Sequence, residues 1–151
     1  MSYIADKNCP EEAVSTFNNG FNCAQAVIST YSERYGLEKE LAFKVSCAFG
    51  GGICRTGDTC GAVTGALMVL GLQYGMSKAG DDQKKQETYA RAAEFIDRFR
   101  SRNGSIVCRD LLGCDISKPE GSKAAKENRL FETICPKMVR DAAEILDDML
   151  K

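Results

Sequence analysis

The chain contains no histidine. Any metal it holds must therefore rest on thiolates or oxygens, and proton chemistry near neutrality must use a perturbed cysteine or carboxylate. No two of its cysteines stand in a C-x-x-C pair. That excludes a thioredoxin-type pair, a zinc-ribbon knuckle and a ferredoxin-type run, and without histidine there is no Cys-His nucleophile dyad. Neither sign of charge dominates, with 20 basic and 21 acidic residues and a net charge of -1. Nothing here offers an electrostatic footprint for nucleic acid. The most apolar stretch, Ala62 to Leu72, is too short to span a bilayer and follows Arg55 and Asp58. The opening segment MSYIADKNCPEEAV has no basic stretch leading into an apolar one, unlike a secretory signal, so a cytoplasmic, soluble protein is expected. Internal repeats, low-complexity tracts and a second domain are also missing.

What is present is cysteine, eight residues of it in 151. At this length and 44% hydrophobic content, residues 1–151 read as one domain able to bury a core without staples. In a reducing compartment such a set reads as metal ligands, redox-active thiols or small buried hydrophobes before it reads as a disulfide framework.

The periodicity predicts an all-α bundle, because no segment sustains apolar-polar alternation. Pro10 opens a short helix ended by Asn19 and Gly20, and Asn22 caps a second that Gly36 stops. A third runs from about Glu38, with Leu41, Val45 and Ala48 on its apolar face, until Gly50, Gly51 and Gly52 interrupt it. Ala62 to Leu72 is apolar nearly all round, which predicts a buried central helix capped by Asp58 or Thr59, with Gly57, Gly61 and Gly65 forming a small-residue stripe. A strand is the competing reading, but Ala, Leu and Met dominate. Gly80 and Asp81 open an amphipathic helix with Tyr89, Ala92, Ala93, Ile96 and Phe99 inward, and its many charges read as a solvated face. A short helix from Ser105 to Leu112 follows, then the polar segment DISKPEGSKAAKEN, which reads as a loop or an irregular helix start, then a last helix starting at Pro136.

On those helices the cysteines separate into groups. Cys23, Cys60 and Cys135 fall at helix N-termini, where free backbone N-H groups and the helix dipole stabilise thiolate, and Cys108 sits in a similar place. For any one of them, burial as a small hydrophobe competes with function, and that competition weakens for four together. Cys47 reads as core packing beside Ala48 and Phe49, Cys54 and Cys114 as accessory ligands or resolving thiols, and Cys9 as part of a frayed terminus.

Cys23 in GFNCAQAV, the segment CAFGGGICRTGDTCGAVTGALMVLGL around Cys60, Cys108 in SIVCRDLLGCD and Cys135 before the last helix carry a resemblance over nearly the whole chain. Together they resemble the redox-active protein family named for its C_GCAxxG_C_C cysteine pattern. At its sharpest element this chain reads Cys60-Gly61-Ala62, where the family name writes Gly-Cys-Ala. The resemblance implies a small protein, associated with transporter or oxidoreductase partners, that binds an iron-sulfur cluster or otherwise does redox work. It assigns the four defining cysteines to Cys23, Cys60, Cys108 and Cys135. Some relatives carry an export signal, which is not read in this chain.

Three functions follow for testing. The first is an iron-sulfur protein for electron transfer or redox sensing, with Cys23, Cys60, Cys108 and Cys135 as ligands and Gly57, Gly61 and Gly65 giving room and N-H donors; tight helix packing is the rival reading of those glycines. The second is a metal-free thiol-disulfide protein in which Cys60 attacks and Cys54 resolves. In the third, zinc or the thiols alone stabilise a helical interaction module. A redox partner protein and a homodimer contact along the apolar helix are further expectations. No acid-base pair argues for turnover on a small molecule.

Overall fold

A computed structural model describes residues 7–151. The first six residues, part of the segment read for a targeting signal, lie outside them. Three helices, the first two and the long one that follows Asp81, begin where a side chain satisfies a free N-H group of the first turn. In α1 (Cys9–Asn18) the Asn8 carboxamide accepts from the Glu11 N-H, and Pro10 occupies the first turn. In α2 (Cys23–Ser32) Asn22 and Gln25 form a reciprocal capping box at 2.9 and 3.0 Å. A 3-10 turn then leads to Gly36, which is left-handed at φ 81°.

The remaining helices are α3 (Lys39–Ser46), α4 (Gly61–Tyr74), α5 (Asp82–Asn103), α6 (Cys108–Leu112), α7 (Pro119–Glu127), α8 (Leu130–Thr133) and α9 (Cys135–Met149). The protein is all-α, as its periodicity indicates. Among the described residues the β-structure consists of an isolated antiparallel bridge between Thr59 and Val107.

The helix buried along nearly its whole length is α2, not the glycine-bearing α4. Its buried hydroxyls Ser29, Thr30 and Ser32 bond back to carbonyls of their own helix, which lets polar side chains enter the core. The Tyr31 hydroxyl donates toward Ala143 O and Asp147 Oδ1 on α9, each at 2.8 Å. Helix α9 buries Met138, Val139, Ala142, Ile145, Leu146 and Met149 along one stripe. In α4, Leu72 and Gln73 reach solvent, so it is apolar without being enclosed.

Glycine serves close approach at Gly65. A Cβ there would lie 2.8 Å from Ala24 O, so the stripe exists to seat α2 against α4. Gly61 faces Ala24 N and the Cys23 side chain in the same contact, and Gly57 lies outside the helix with φ 77°.

Several expected faces differ. On α3 the buried residues are Ala42 and Ser46, while Leu41 and Val45 are 45% and 56% exposed. Small residues are needed there because α3 packs closely on α2, so size outweighs hydropathy. On α5, Phe95 and Phe99 enter the core, whereas Tyr89 is exposed because the first half of that helix projects beyond it. The polar segment after Cys114 forms α7, whose Ala125 anchors a small satellite core with Cys108, Leu112 and Ile116. Among the described residues no helix is long and apolar enough to cross a membrane.

Candidate functional site

A cavity of about 660 Å³ opens where the N-terminal ends of α2, α4, α6 and α9 meet. Cys23, Cys60, Cys108 and Cys135 all line it, and so do Cys47 and Cys54. Cys23, Cys108 and Cys135 are each the first residue of their helix, and Cys60 is the N-cap of α4. The expected caps of α4 are displaced: Asp58 instead binds Arg109 at 2.9 Å and accepts from Thr56 at 3.0 Å.

Two far-separated stretches are joined here by backbone. The Cys60 N-H donates to Ile106 O at 2.7 Å, the Cys108 N-H to Asp58 O at 2.6 Å and the Arg109 N-H to Gly57 O at 3.0 Å. These bonds flank the Thr59-Val107 bridge and hold Cys60 and Cys108 at one wall. Gly52 closes in on the same wall, since a Cβ there would lie 2.6 Å from the Cys108 Cβ.

The buried sulfurs differ in charge preference. Cys60 is held below the ordinary thiol range by the Cys23 thiol bonded to it, against the cost of burial, with the N-H groups of Ala62 and Val63 adding to the effect. Cys60 stands at the N-cap position of α4 without a side-chain capping hydrogen bond. Cys23 is pushed well up, first by its thiol bonds to Cys135 and Cys60 and then by burial. Cys108 is pushed up to about 12 by burial and by the neighbouring sulfurs Cys60, Cys135 and Cys114. Cys60 therefore loses its proton more readily than Cys23.

Apart from the sulfurs, the cavity wall is largely apolar, with Phe17, Leu111, Ile116, Phe131, Ile134 and Met138 among its residues. Its charged lining residues are Arg55 and Lys126, and among the described residues no carboxylate lines it. The donor set is thus soft sulfur, with two cations and no carboxylate among the described lining residues. Among the described residues no three His, Cys, Asp or Glu side chains converge tightly enough to hold a single metal ion.

The other cysteines depart from their sequence assignments. Cys47 belongs to no core; it is exposed at the start of the 3-10 turn Cys47–Phe49. Its neighbours Ala48 and Phe49 suggested burial, but the inward positions of that segment are Ala42 and Ser46. Cys9 is not frayed: it is 1% exposed, with Arg34 Nη2 at 3.2 Å from its sulfur, and it lies outside the cavity. Cys114 is partly buried beside the satellite core. Arg55 and Lys126 carried no sequence signal, because only the folded loop and α7 bring them to the same opening.

Comparison with known proteins gives a family. The family model described as "Putative redox-active protein (C_GCAxxG_C_C)" matches residues 21–149, and the chain belongs to that family. A protein of Archaeoglobus fulgidus, described as uncharacterized, is 30% identical over 107 residues, covering 66% of this chain and 70% of its own. No solved structure matches.

Proposed function

We propose that this redox-active family member binds an iron-sulfur cluster through Cys23, Cys60, Cys108 and Cys135 and uses it in electron transfer or redox sensing. The observation that carries this reading is the meeting of four thiols, each at the start of a different helix, in one cavity without a lining carboxylate. When bound, the cluster would supply one-electron chemistry that no side chain of the site provides. A cluster of several irons takes its thiolates on different metal atoms, whereas zinc gathers four sulfurs at ~2.3 Å around one centre.

The protein's own groups have defined parts in this reading. Cys60 is held below the ordinary thiol range, whereas Cys23 and Cys108 are pushed up, so ligation by those two would be coupled to release of their protons. The Thr59-Val107 bridge fixes the spacing of Cys60 and Cys108, and Gly52 allows the loop to lie directly on Cys108. Arg55 and Lys126 offset negative charge at the opening. Leu111, Ile116 and Phe131 limit water at the sulfurs, which tunes the potential of any group held there.

Anaerobic purification from cells supplied with iron tests this reading, with visible absorption, iron, acid-labile sulfide and zinc measured on the same sample. Iron and sulfide in matching amounts, both strongly reduced by Cys60→Ser, are expected. A colourless protein without iron or sulfide would sink the proposal.

A further inference from the structure

The cavity has more thiols than four ligand positions use, and the two outside the proposed set share a location. Cys47 and Cys54 both line the opening and both are exposed, in contrast to buried Cys23, Cys60 and Cys108. The chain between them turns back sharply. The Cys54 N-H donates to Ala48 O at 2.7 Å, which sets Cys54 beside the residue that follows Cys47. Asn22 Nδ2 holds Cys47 O at 2.9 Å, anchoring the pair to the start of α2.

The turn is left-handed over Gly51, Gly52, Ile53, Cys54 and Arg55, with φ of 64, 68, 70, 43 and 63°. Three of these are not glycine, and Ile53 is β-branched, a residue type rarely found in this region. Strain of this kind collects at sites where the surrounding structure over-determines a working geometry. Here it is maintained by Arg55 N-H to Gly50 O at 3.0 Å and Asp58 N-H to Gly52 O at 2.8 Å. Arg55 follows Cys54 directly and shares the opening with Lys126, with no lining carboxylate among the described residues.

We propose that Cys47 and Cys54 form a redox-active dithiol at the mouth of the cavity that reacts with small anionic disulfides. One cysteine thiolate attacks a sulfur of RS-SR; the disulfide breaks, RS⁻ departs and takes a proton from solvent, and R-S remains on the protein as a mixed disulfide. The second thiolate attacks the protein sulfur of that intermediate and expels the other RS⁻, closing a Cys47-Cys54 bond. Two protein thiols lose two electrons and two protons, and RS-SR gains them as two RSH. Cys60 lines the same cavity but is 5% exposed, so the exposed pair meets an incoming disulfide first. The cations Arg55 and Lys126 select negatively charged R groups.

The experiment treats the anaerobically prepared full chain with oxidised glutathione, an anionic disulfide, or with cystamine, a cationic one, followed by alkylation and peptide mapping. A Cys47-Cys54 link is expected in the wild type, with Cys23, Cys60 and Cys108 recovered as free thiols. Cys47→Ser and Cys54→Ser should each retain glutathione on the remaining partner. Oxidised glutathione should react several-fold faster than cystamine, and Arg55→Glu should shrink that ratio. A Cys54-Cys60 link, separate glutathione adducts on Cys47 and Cys54 in the wild type, or a faster reaction with cystamine would each overturn the proposal. So would loss of iron from Cys47→Ser/Cys54→Ser, since that would make either cysteine a cluster ligand. An iron-free wild type that still forms the Cys47-Cys54 link would defeat the cluster reading alone.

Discussion

Cys9 and Cys60 occupy nearly the same local position and behave in opposite ways. Each sits at the start of a helix and each is almost fully buried. Cys9 has a guanidinium at 3.2 Å, yet it is pushed above the ordinary thiol range by burial and by Asp147, which outweigh Arg34 and Lys7. Cys60 is pushed down, first by hydrogen bonding with the Cys23 thiol and then by the backbone of Ala62 and Val63, against the cost of burial. Hydrogen bonds from convergent donors therefore decide the charge state here, and a nearby positive group does not substitute for them once a carboxylate shares the space. A helix start by itself does not make a thiolate.

Replacing each of these cysteines in turn puts that contrast to its strongest test. In protein purified anaerobically, Cys60→Ser should lose most of its iron and sulfide, whereas Cys9→Ser should keep the wild-type content. Equal losses in the two variants would mean that the effect is general destabilisation.

A smaller effect is expected from crowding the cavity wall. Gly52→Ala puts a methyl 2.6 Å from the Cys108 Cβ and 2.7 Å from Asp58 N, at a residue with φ 68°. A loss of about 1–3 kcal/mol is expected, as for overpacked interiors, read from chemical denaturation of the metal-free form. An unchanged midpoint would show that the loop lies away from Cys108.

Alkaline pH separates Cys108 from Cys60. A thiol raised in the folded state contributes stability below its unfolded value and loses it as pH rises through the folded one. For Cys108 that window runs from about 9 to about 12. For Cys60 the sign is opposite: its contribution is present above the unfolded value and is lost as pH falls through the folded one. Metal-free wild type should therefore lose more stability between pH 9 and pH 12 than Cys108→Ala does, as measured by urea midpoints. Parallel curves would remove Cys108 from the account.

The smallest effect is expected at the other pole. Arg34→Met takes the guanidinium away from Cys9 and from the Tyr31 ring, which it covers at 4.8 Å. Removing a group that lowers the Cys9 value should move that thiol further up. Thiolate absorbance against pH, with Cys9→Ser as the blank, measures the shift, and a downward movement would contradict it.

Much of this was legible in the chain. Asn8, Asn22 and Pro136 announce helix starts through local chemistry, and local chemistry survives folding. The four cysteines chosen from helix starts and family pattern do line one cavity. The glycine stripe was visible as well, but its partner was not: only the approach of Ala24 shows that Gly65 serves helix packing. The exposure of Leu41 and Val45 could not be read, because two small residues, Ala42 and Ser46, suit the tight contact better than two large ones. Nor could the left-handed turn, since Ile53, Cys54 and Arg55 are residues that ordinarily avoid it. Burial of Cys9 depends on Arg34, Tyr31 and Asp147, which arrive from distant helices.

The backbone bond from Cys60 to Ile106 means that the chain leaves the cavity wall and comes back to it within 2.7 Å. Between these points run α4 and α5, both packed into the core, and a linking stretch that is exposed over residues 76–80. A length change confined to residues 76–80, between the two packed helices, is therefore expected to leave the sulfurs of Cys60 and Cys108 in place. The stretch 76–80 is accordingly the place to insert a fluorescent or affinity module, because close ends tolerate a longer path at little entropic cost.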